Sequence, residues 1–145
     1  MTGMSLSYKH LVSTDDPALK PETLFPQLLD HGVRSIELRA VSRTDSPEEV
    51  LHVANLLWDY GFQITVHSNG IQSLQTVAED VFTPLTAMIE NIRQRELVIT
   101  LHPIDDDNAA LLVALSDYIN DHKYPVRIAL ENNRRMPDGT EGDSA

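Results

Sequence analysis

Gln63-Ile64-Thr65-Val66-His67 is the most informative stretch of this chain, because it alternates polar and apolar side chains and ends on a histidine. Apolar residues at every second position predict a β-strand with one buried face. The next residues, Ser68-Asn69-Gly70, are typical of a turn. The sequence therefore predicts a strand whose last residue, His67, stands at the mouth of a loop.

Three further segments repeat this pattern and also carry charged or imidazole side chains: Ser35-Ile36-Glu37-Leu38-Arg39, Val98-Ile99-Thr100-Leu101-His102 and Arg127-Ile128-Ala129-Leu130-Glu131. Glu37, His67, His102 and Glu131 follow one another at intervals of 30, 35 and 29 residues. Each interval is about the length of one strand-helix repeat. Polar groups at matching places in successive repeats predict the rim of one pocket.

Helix signals separate these strands. Helices are predicted over residues 21–31, 46–60, 71–95 and 105–123, the third one restarting at Thr83-Pro84 with Thr83 as its cap. Strands are predicted over residues 33–41, 62–67, 97–104 and 126–131, and a weaker first strand over residues 8–14 would carry His10. Strands and helices that alternate in this way predict an α/β fold with a parallel sheet.

Two parallel architectures compete, an open doubly wound sheet and a closed barrel. On one face of the four repeated strands the residues are apolar, whereas the other face carries Glu37, Thr65, His67, Thr100 and Arg127. A helix layer over that polar face would bury unpaired groups at about 1–3 kcal/mol each. The polar face suits a barrel interior, with the last residue of each strand in the C-terminal mouth where barrel enzymes have their active sites.

Composition excludes several classes of partner and site. The chain of 145 residues has 22 acidic and 11 basic residues and a net charge of −11, which disfavours nucleic acid and anionic membrane surfaces. It has no cysteine, so any metal must be bound by histidine and carboxylate. Neither a secretory signal nor a membrane-spanning stretch is recognisable, so we expect a cytoplasmic protein.

His67, His102 and Glu131 are the strongest candidate site residues. Two imidazoles and a carboxylate suit Zn, Mn, Co or Fe better than Ca, and the imidazoles can equally bind substrate hydroxyls or transfer protons. Glu37 and Arg39 predict either a structural ion pair or a site in which Arg39 binds a substrate carboxylate or phosphate and Glu37 holds Arg39 in place. Two other features have structural interpretations: Asp105-Asp106-Asp107 is predicted to cap a helix, and Trp58 to pack against the core.

The chain resembles the xylose isomerase-like TIM barrel superfamily, which includes sugar isomerases and epimerases, hydroxypyruvate isomerase and apurinic-site endonucleases. The resemblance lies in Gly32-Val33-Arg34-Ser35-Ile36-Glu37-Leu38-Arg39, the strand end at His67, His102-Pro103 and Leu130-Glu131-Asn132-Asn133. It implies a partial TIM (β/α) barrel with about five parallel strands and outer helices, lacking the last three βα units. Residues 1–133 would form this domain, and residues 134–145 a flexible polar tail.

The resemblance also implies a function. Glu131 would be a metal ligand and the catalytic acid/base group. His67 and His102 would bind substrate or would join Glu131 as ligands of Mn, Co, Mg or Zn. Glu37 and Arg39 stay candidate substrate-binding residues on the grounds of their own chemistry. The implied reaction is proton transfer next to the carbonyl of a sugar or small keto acid, through an enediol-like intermediate.

Other interpretations stay open at the level of sequence. Because the chain holds five repeats, we expect a piece of a longer enzyme, a degenerate relative, or a half completed by another polypeptide. A catalytically inactive half-barrel that serves as a binding or scaffold domain is the main alternative, and a zinc-dependent apurinic-site endonuclease fits the net charge poorly. Exposed strand edges predict association, most simply as a homodimer.

Overall fold

A computed structural model of the chain describes residues 2–68, 74–102, 108–131, 134–135 and 141–142. Five parallel strands form one sheet in consecutive order: β1 (Thr2–Ser7), β2 (Val33–Val41), β3 (Gln63–Ser68), β4 (Leu97–Leu101) and β5 (Val126–Leu130). A separate antiparallel pair is formed by β6 (Arg134–Arg135) and β7 (Glu141–Gly142), within the predicted polar tail. The remaining residues of that tail lie outside the described part of the chain.

The helices are α1 (Tyr8–Ser13), α2 (Pro21–Asp30), α3 (Pro47–Tyr60), α4 (Val77–Phe82), α5 (Thr86–Glu90) and α6 (Asn108–His122). The start of α3 follows its sequence signals, since the Ser46 hydroxyl accepts the Glu49 N–H at 3.4 Å and Pro47 is the first helical residue. Gly61 ends α3 with a positive φ of 94°. The predicted turn residues Asn69 and Gly70 and the predicted Asp105–Asp107 cap lie outside the described residues.

The predicted first strand at residues 8–14 is wrong. Residues 8–13 form helix α1, and strand β1 precedes them at Thr2–Ser7. The Ser7 hydroxyl accepts the backbone N–H of His10 at 3.3 Å, which caps the helix and ends the strand at that point. His10 is therefore an exposed helical residue and not a residue of the sheet.

The third predicted helix is also corrected in part. It is interrupted at Pro84 as expected, but Thr83–Leu85 forms a 3-10 turn and no side chain caps α5. Thr83 is therefore not the cap. The described helical residues begin at Val77 and end at Glu90, short of Arg95.

One face of the sheet packs against the helices. Strand residues of this face are fully buried with apolar residues of α2 to α6 in a single core cluster: Ile36, Leu38, Ile64, Val66, Ile99 and Leu101. Right-handed crossovers between parallel strands in consecutive order place the connecting helices on one side, which accounts for this arrangement.

The opposite face, here called the cup face, carries Ser5 and Ser7 of β1, Ser35, Glu37 and Arg39 of β2, Thr65 and His67 of β3, Val98 and Thr100 of β4, and Arg127 and Ala129 of β5. All of these side chains are exposed or half-buried. An α/β sheet with helices against one face and a polar, accessible second face is consistent with a partial βα barrel-like fold. The edges of the five-stranded sheet are β1 and β5, and association through them stays a prediction.

No helix in the described part of the chain is long and apolar enough to cross a membrane.

Candidate metal centre

Five polar side chains form a continuous cluster on the cup face, one from each of the five strands or from the residue that follows it. They are Ser5, Glu37, His67, His102 and Glu131. The strand register brings them together, since Ser5 pairs with Glu37 across β1 and β2, and Thr100 pairs with His67 across β3 and β4.

His102 and Glu131 become neighbours because Leu101 and Leu130, the last residues of β4 and β5, are paired. The Glu131 N–H donates to the Leu101 carbonyl at 2.8 Å, so Glu131 is still held to β4 after its own strand ends. The carboxyl ends of three adjacent strands thus present two imidazoles and a carboxylate at one point.

The distances among these three side chains fit a shared cation. His67 Nε2 lies 3.1 Å from His102 Nε2 and 3.5 Å from Glu131 Oε2. Two atoms that each lie about 2.0–2.1 Å from one ion can be this far apart. The short contact of Glu131 Oε2 to His102 is made by the other ring nitrogen, Nδ1, at 2.8 Å. One ligand atom from each of the three residues lies within 4.8 Å of the others.

Glu131 Oε2 provides independent support for a cation. This oxygen is buried and accepts no hydrogen bond from the described residues. His102 Nδ1 is only 2.8 Å away, but its geometry is not that of a hydrogen bond. A buried carboxylate oxygen without a donor is costly, and a metal ion between the carboxylate and the imidazoles would remove that cost.

Glu37 and Ser5 surround the far side of the His67 ring. Glu37 Oε1 lies 3.6 Å from His67 Nδ1, and the Ser5 hydroxyl donates to the same oxygen at 3.0 Å. A carboxylate facing Nδ1 favours the proton on that nitrogen, which leaves the Nε2 lone pair directed at His102 and Glu131. Histidine ligands of metals usually have such a partner behind them.

The predicted ion pair between Glu37 and Arg39 is wrong. Glu37 contacts Ser5 and His67, whereas Arg39 is exposed and makes no ion pair within the described residues. Arg39 instead lines a cleft of ≈ 180 Å³ together with Ala40, Ser68 and the two histidines. Glu37 therefore does not hold Arg39 in place either, and anion binding by Arg39 stays a prediction.

Sequence reasoning missed two residues of the site, Ser5 and Ala40. Ser5 was missed because β1 was placed too late in the chain. Ala40 has a positive φ of 65° at an irregularity in the pairing of β2 with β3, and such bulges are frequent next to active sites. An alanine in a regular alternating run gives no local signal of this conformation.

His67, His102 and Glu131 could therefore hold a metal ion, as the residue types predicted. Imidazole nitrogen and carboxylate oxygen are donors suited to Zn, Mn, Co or Fe. Comparisons with protein-family models, with curated proteins and with solved structures find no match to this chain. The geometry of the five-residue cluster is thus the basis for assigning a function.

Proposed function

We propose that this protein is a metal-dependent isomerase or epimerase of a sugar or small keto acid, on part of a TIM (β/α) barrel of the xylose isomerase-like type. The observation that carries the proposal is that His67, His102 and Glu131 converge at the carboxyl ends of β3, β4 and β5, where Glu131 Oε2 accepts no hydrogen bond from the described residues. In barrels of this kind the carboxyl ends of the strands form the active site. Mg remains a candidate beside Mn, Co and Zn, although imidazole ligands favour the last three.

Each residue of the cluster has a defined part in this proposal. His67, His102 and Glu131 Oε2 would hold the ion, and Glu37 with Ser5 orients the His67 ring. Arg39, beside His67 in the register of β2 and β3, binds an anionic group of the substrate. A divalent cation at this point would polarise substrate oxygens and so acidify the neighbouring C–H.

Glu131 Oε1 makes no polar contact within the described residues, which leaves it available as the proton acceptor. The carboxylate takes the proton of the C–H next to the carbonyl, the electron pair of that bond forms a C=C, and the carbonyl electron pair moves onto its oxygen, which gives an enediol-like intermediate where the deprotonated carbon carries a hydroxyl. Return of the proton to the former carbonyl carbon, with transfer of the hydroxyl proton to the other oxygen, gives isomerisation. Delivery of a proton from water to the opposite face of the original carbon gives epimerisation. Neither outcome needs an external oxidant or reductant.

Metal content and proton exchange test the proposal together. After dialysis against Zn²⁺, Mn²⁺ or Co²⁺, we expect close to one ion per chain by elemental analysis, and loss of it in Glu131→Gln and His102→Ala. Glu90→Gln and His52→Ala are matched controls, because both residues are exposed helical residues outside the cluster. The metal-loaded protein should exchange the C–H next to a keto-acid carbonyl for deuterium in ²H₂O, followed by NMR. A chain that binds no ion in any of these conditions would contradict the mechanism.

One observation favours a second candidate function, a binding domain without catalysis. Both carboxylates of the cluster, Glu37 and Glu131, already lie against His67, so among the described residues neither stands apart from the candidate metal centre as a separate base. A binding domain would take up the ion and yet show no deuterium exchange. The same pair of measurements therefore distinguishes the two functions.

A further inference from the structure

A second cleft of ≈ 180 Å³ adjoins the metal centre at the β1 side of the sheet. Arg39 lines both this cleft and the one that contains His67 and His102. The rest of its lining divides into an apolar and a polar group: Leu6, Leu11, Leu19 and Leu24, and then Ser5, Ser7 and His10. Arg39 is thus the residue that the linings of the two clefts share.

The polar end of the second cleft favours an anion. The chain has twice as many acidic as basic residues, 22 against 11, yet the described lining of the second cleft contains Arg39 and His10 and no carboxylate. Arg39 is exposed and has no ion pair within the described part of the chain. A guanidinium presents its donors as a planar fork that matches a carboxylate.

The leucine wall fits an apolar group. Leu19 is 42% exposed although it faces this cleft, so covering it would remove apolar surface from water. The volume is well below the roughly 300–1,000 Å³ of clefts that hold drug-sized ligands, so the group must be small.

The strand register places the residues of the two clefts side by side. Ser7, Arg39 and His67 are partners on β1, β2 and β3, and neighbouring strands are about 4.8 Å apart. A molecule with three branches on one carbon would present one branch to each of the candidate metal centre, the guanidinium and the leucines. A 2-oxo or 2-hydroxy acid has this shape, with its oxygen, its carboxylate and its side chain on C2.

We infer that the site binds a small 2-oxo or 2-hydroxy monocarboxylic acid with an apolar end, and not a phosphorylated sugar. The 2-hydroxy acid would be epimerised at C2, and the 2-oxo acid would exchange its C3–H without forming an isomer. The carboxylate of the acid binds Arg39, its C2 oxygen faces His67, His102 and Glu131, and its apolar end lies against Leu11, Leu19 and Leu24. This inference rests on the proposed function, since it names the substrate class of the same site.

Calorimetric titration of the Zn²⁺-loaded protein tests the inference with three probes: 4-methyl-2-oxopentanoate, pyruvate and glucose 6-phosphate. We expect the first to bind about tenfold more tightly than pyruvate, the discrimination typical of a small apolar extension in an apolar cleft. Glucose 6-phosphate should bind more weakly than either acid. Arg39→Gln should weaken both acids alike.

Leu19→Asp should remove the advantage of the longer acid and leave zinc uptake unchanged. Val113→Asp is the matched control, because Val113 is 59% exposed on α6 and should leave the advantage intact. Equal binding of the two acids by the wild-type protein, or an advantage that persists in Leu19→Asp, would overturn the inference.

Failure of the proposed function gives a different result. If the protein takes up no metal and exchanges no C–H, but the metal-free chain still prefers 4-methyl-2-oxopentanoate and loses that preference in Leu19→Asp, the acid cleft stands without the isomerase. If metal binds and the C–H exchanges while the two acids bind equally, the isomerase stands and the cleft inference fails.

Discussion

The two faces of the five-stranded sheet share a backbone and differ in almost everything else. Ile64 and Val66 of β3 are fully buried against the helices, whereas Thr65 and His67, one position away on the same strand, lie half-buried on the cup face. Apolar burial on the first face is the main source of stability, and the second face is free to carry polar groups. The comparison teaches that a single strand can supply the core and the site independently.

Each side also holds one buried polar atom without a hydrogen-bond partner among the described residues, the Tyr8 hydroxyl and Glu131 Oε2. Tyr8 belongs to the core cluster of apolar side chains. Glu131 Oε2 faces two imidazoles, so a metal ion bound by all three residues would explain its missing hydrogen-bond donor.

The largest expected effect on stability comes from truncating a side chain on the helix-facing side of the sheet. Ile64→Ala should lower the free energy of unfolding by about 2–5 kcal/mol, because it leaves a cavity among fully buried residues. Thr65→Ala, its neighbour on the cup face, should change it by no more than about 0.5 kcal/mol. Urea denaturation followed by circular dichroism measures both, and similar losses for the two variants would contradict the division between the faces.

A metal ion should stabilise the protein through the cup face. Zn²⁺ at a hundred times its dissociation constant should add about 2.7 kcal/mol, since it binds the folded state. For a chain of this size that raises Tm by roughly 5–10 °C. Scanning calorimetry should show the rise in wild type and in His52→Ala and its absence in His102→Ala, and an equal rise in all three would place the ion elsewhere.

Alkaline pH should destabilise the protein through the buried hydroxyl of Tyr8 on the helix-facing side. Burial, with the charges of Asp45 and Glu49, raises the pKa of Tyr8 to about 12. In the unfolded chain the pKa is about 10, so between pH 10 and 12 the unfolded state ionises while the folded state keeps its proton. Ionisation of Tyr8 therefore leaves the free energy of unfolding unchanged below about pH 10. It should lower that free energy by on the order of 2 kcal/mol as the pH rises to 12.

Tyr8→Phe is the variant that isolates this effect. It should flatten the alkaline loss and raise stability at neutral pH by about 1 kcal/mol, because it removes a buried hydroxyl with no partner. Guanidinium denaturation at pH 8, 10 and 11.5 gives the comparison, and a Tyr8→Phe profile parallel to wild type would refute the assignment.

The smallest expected effect concerns the bulge beside Arg39. Ala40→Gly should stabilise the fold by about 0.5 kcal/mol, since glycine adopts a positive φ without strain. Ala129→Gly, on a regular strand of the same face, should instead destabilise by about 0.5–1 kcal/mol. Thermal unfolding of the two variants checks the signs, and loss of stability in both would mean that Ala40 is not strained.

Much of the fold could be predicted because its signals are local. Alternation of apolar residues located β2 to β5 within a few residues of their observed bounds, and Ser46, Pro47 and Gly61 marked both ends of α3. β1 was misplaced because Gly3-Met4-Ser5-Leu6 lacks a strong β signal, whereas Tyr8-Lys9-His10-Leu11-Val12 carries β-branched and aromatic residues. Tertiary pairing with β2 outweighed that weak preference.

The residues of the candidate site could be predicted from the sequence, but their contacts could not. His67, His102 and Glu131 were expected near one another because each ends a strand of a parallel sheet. The predicted contact of Glu37 with Arg39 is wrong, because side chains two residues apart on one strand need not touch. The neighbours of Glu37 in space are Ser5 and His67 on the adjacent strands.

The sequence alone determined that the strands have one apolar and one polar face and that imidazole and carboxylate groups stand at successive strand ends, because both follow from the two-residue period of a strand and from the length of each repeat. Only the tertiary structure decided that His67 Nε2 lies within 3.5 Å of both His102 and Glu131, and that Arg39 is left without a carboxylate partner in the described chain. Those distances depend on the register between strands and on the bulge at Ala40, which no residue pattern within a single strand encodes.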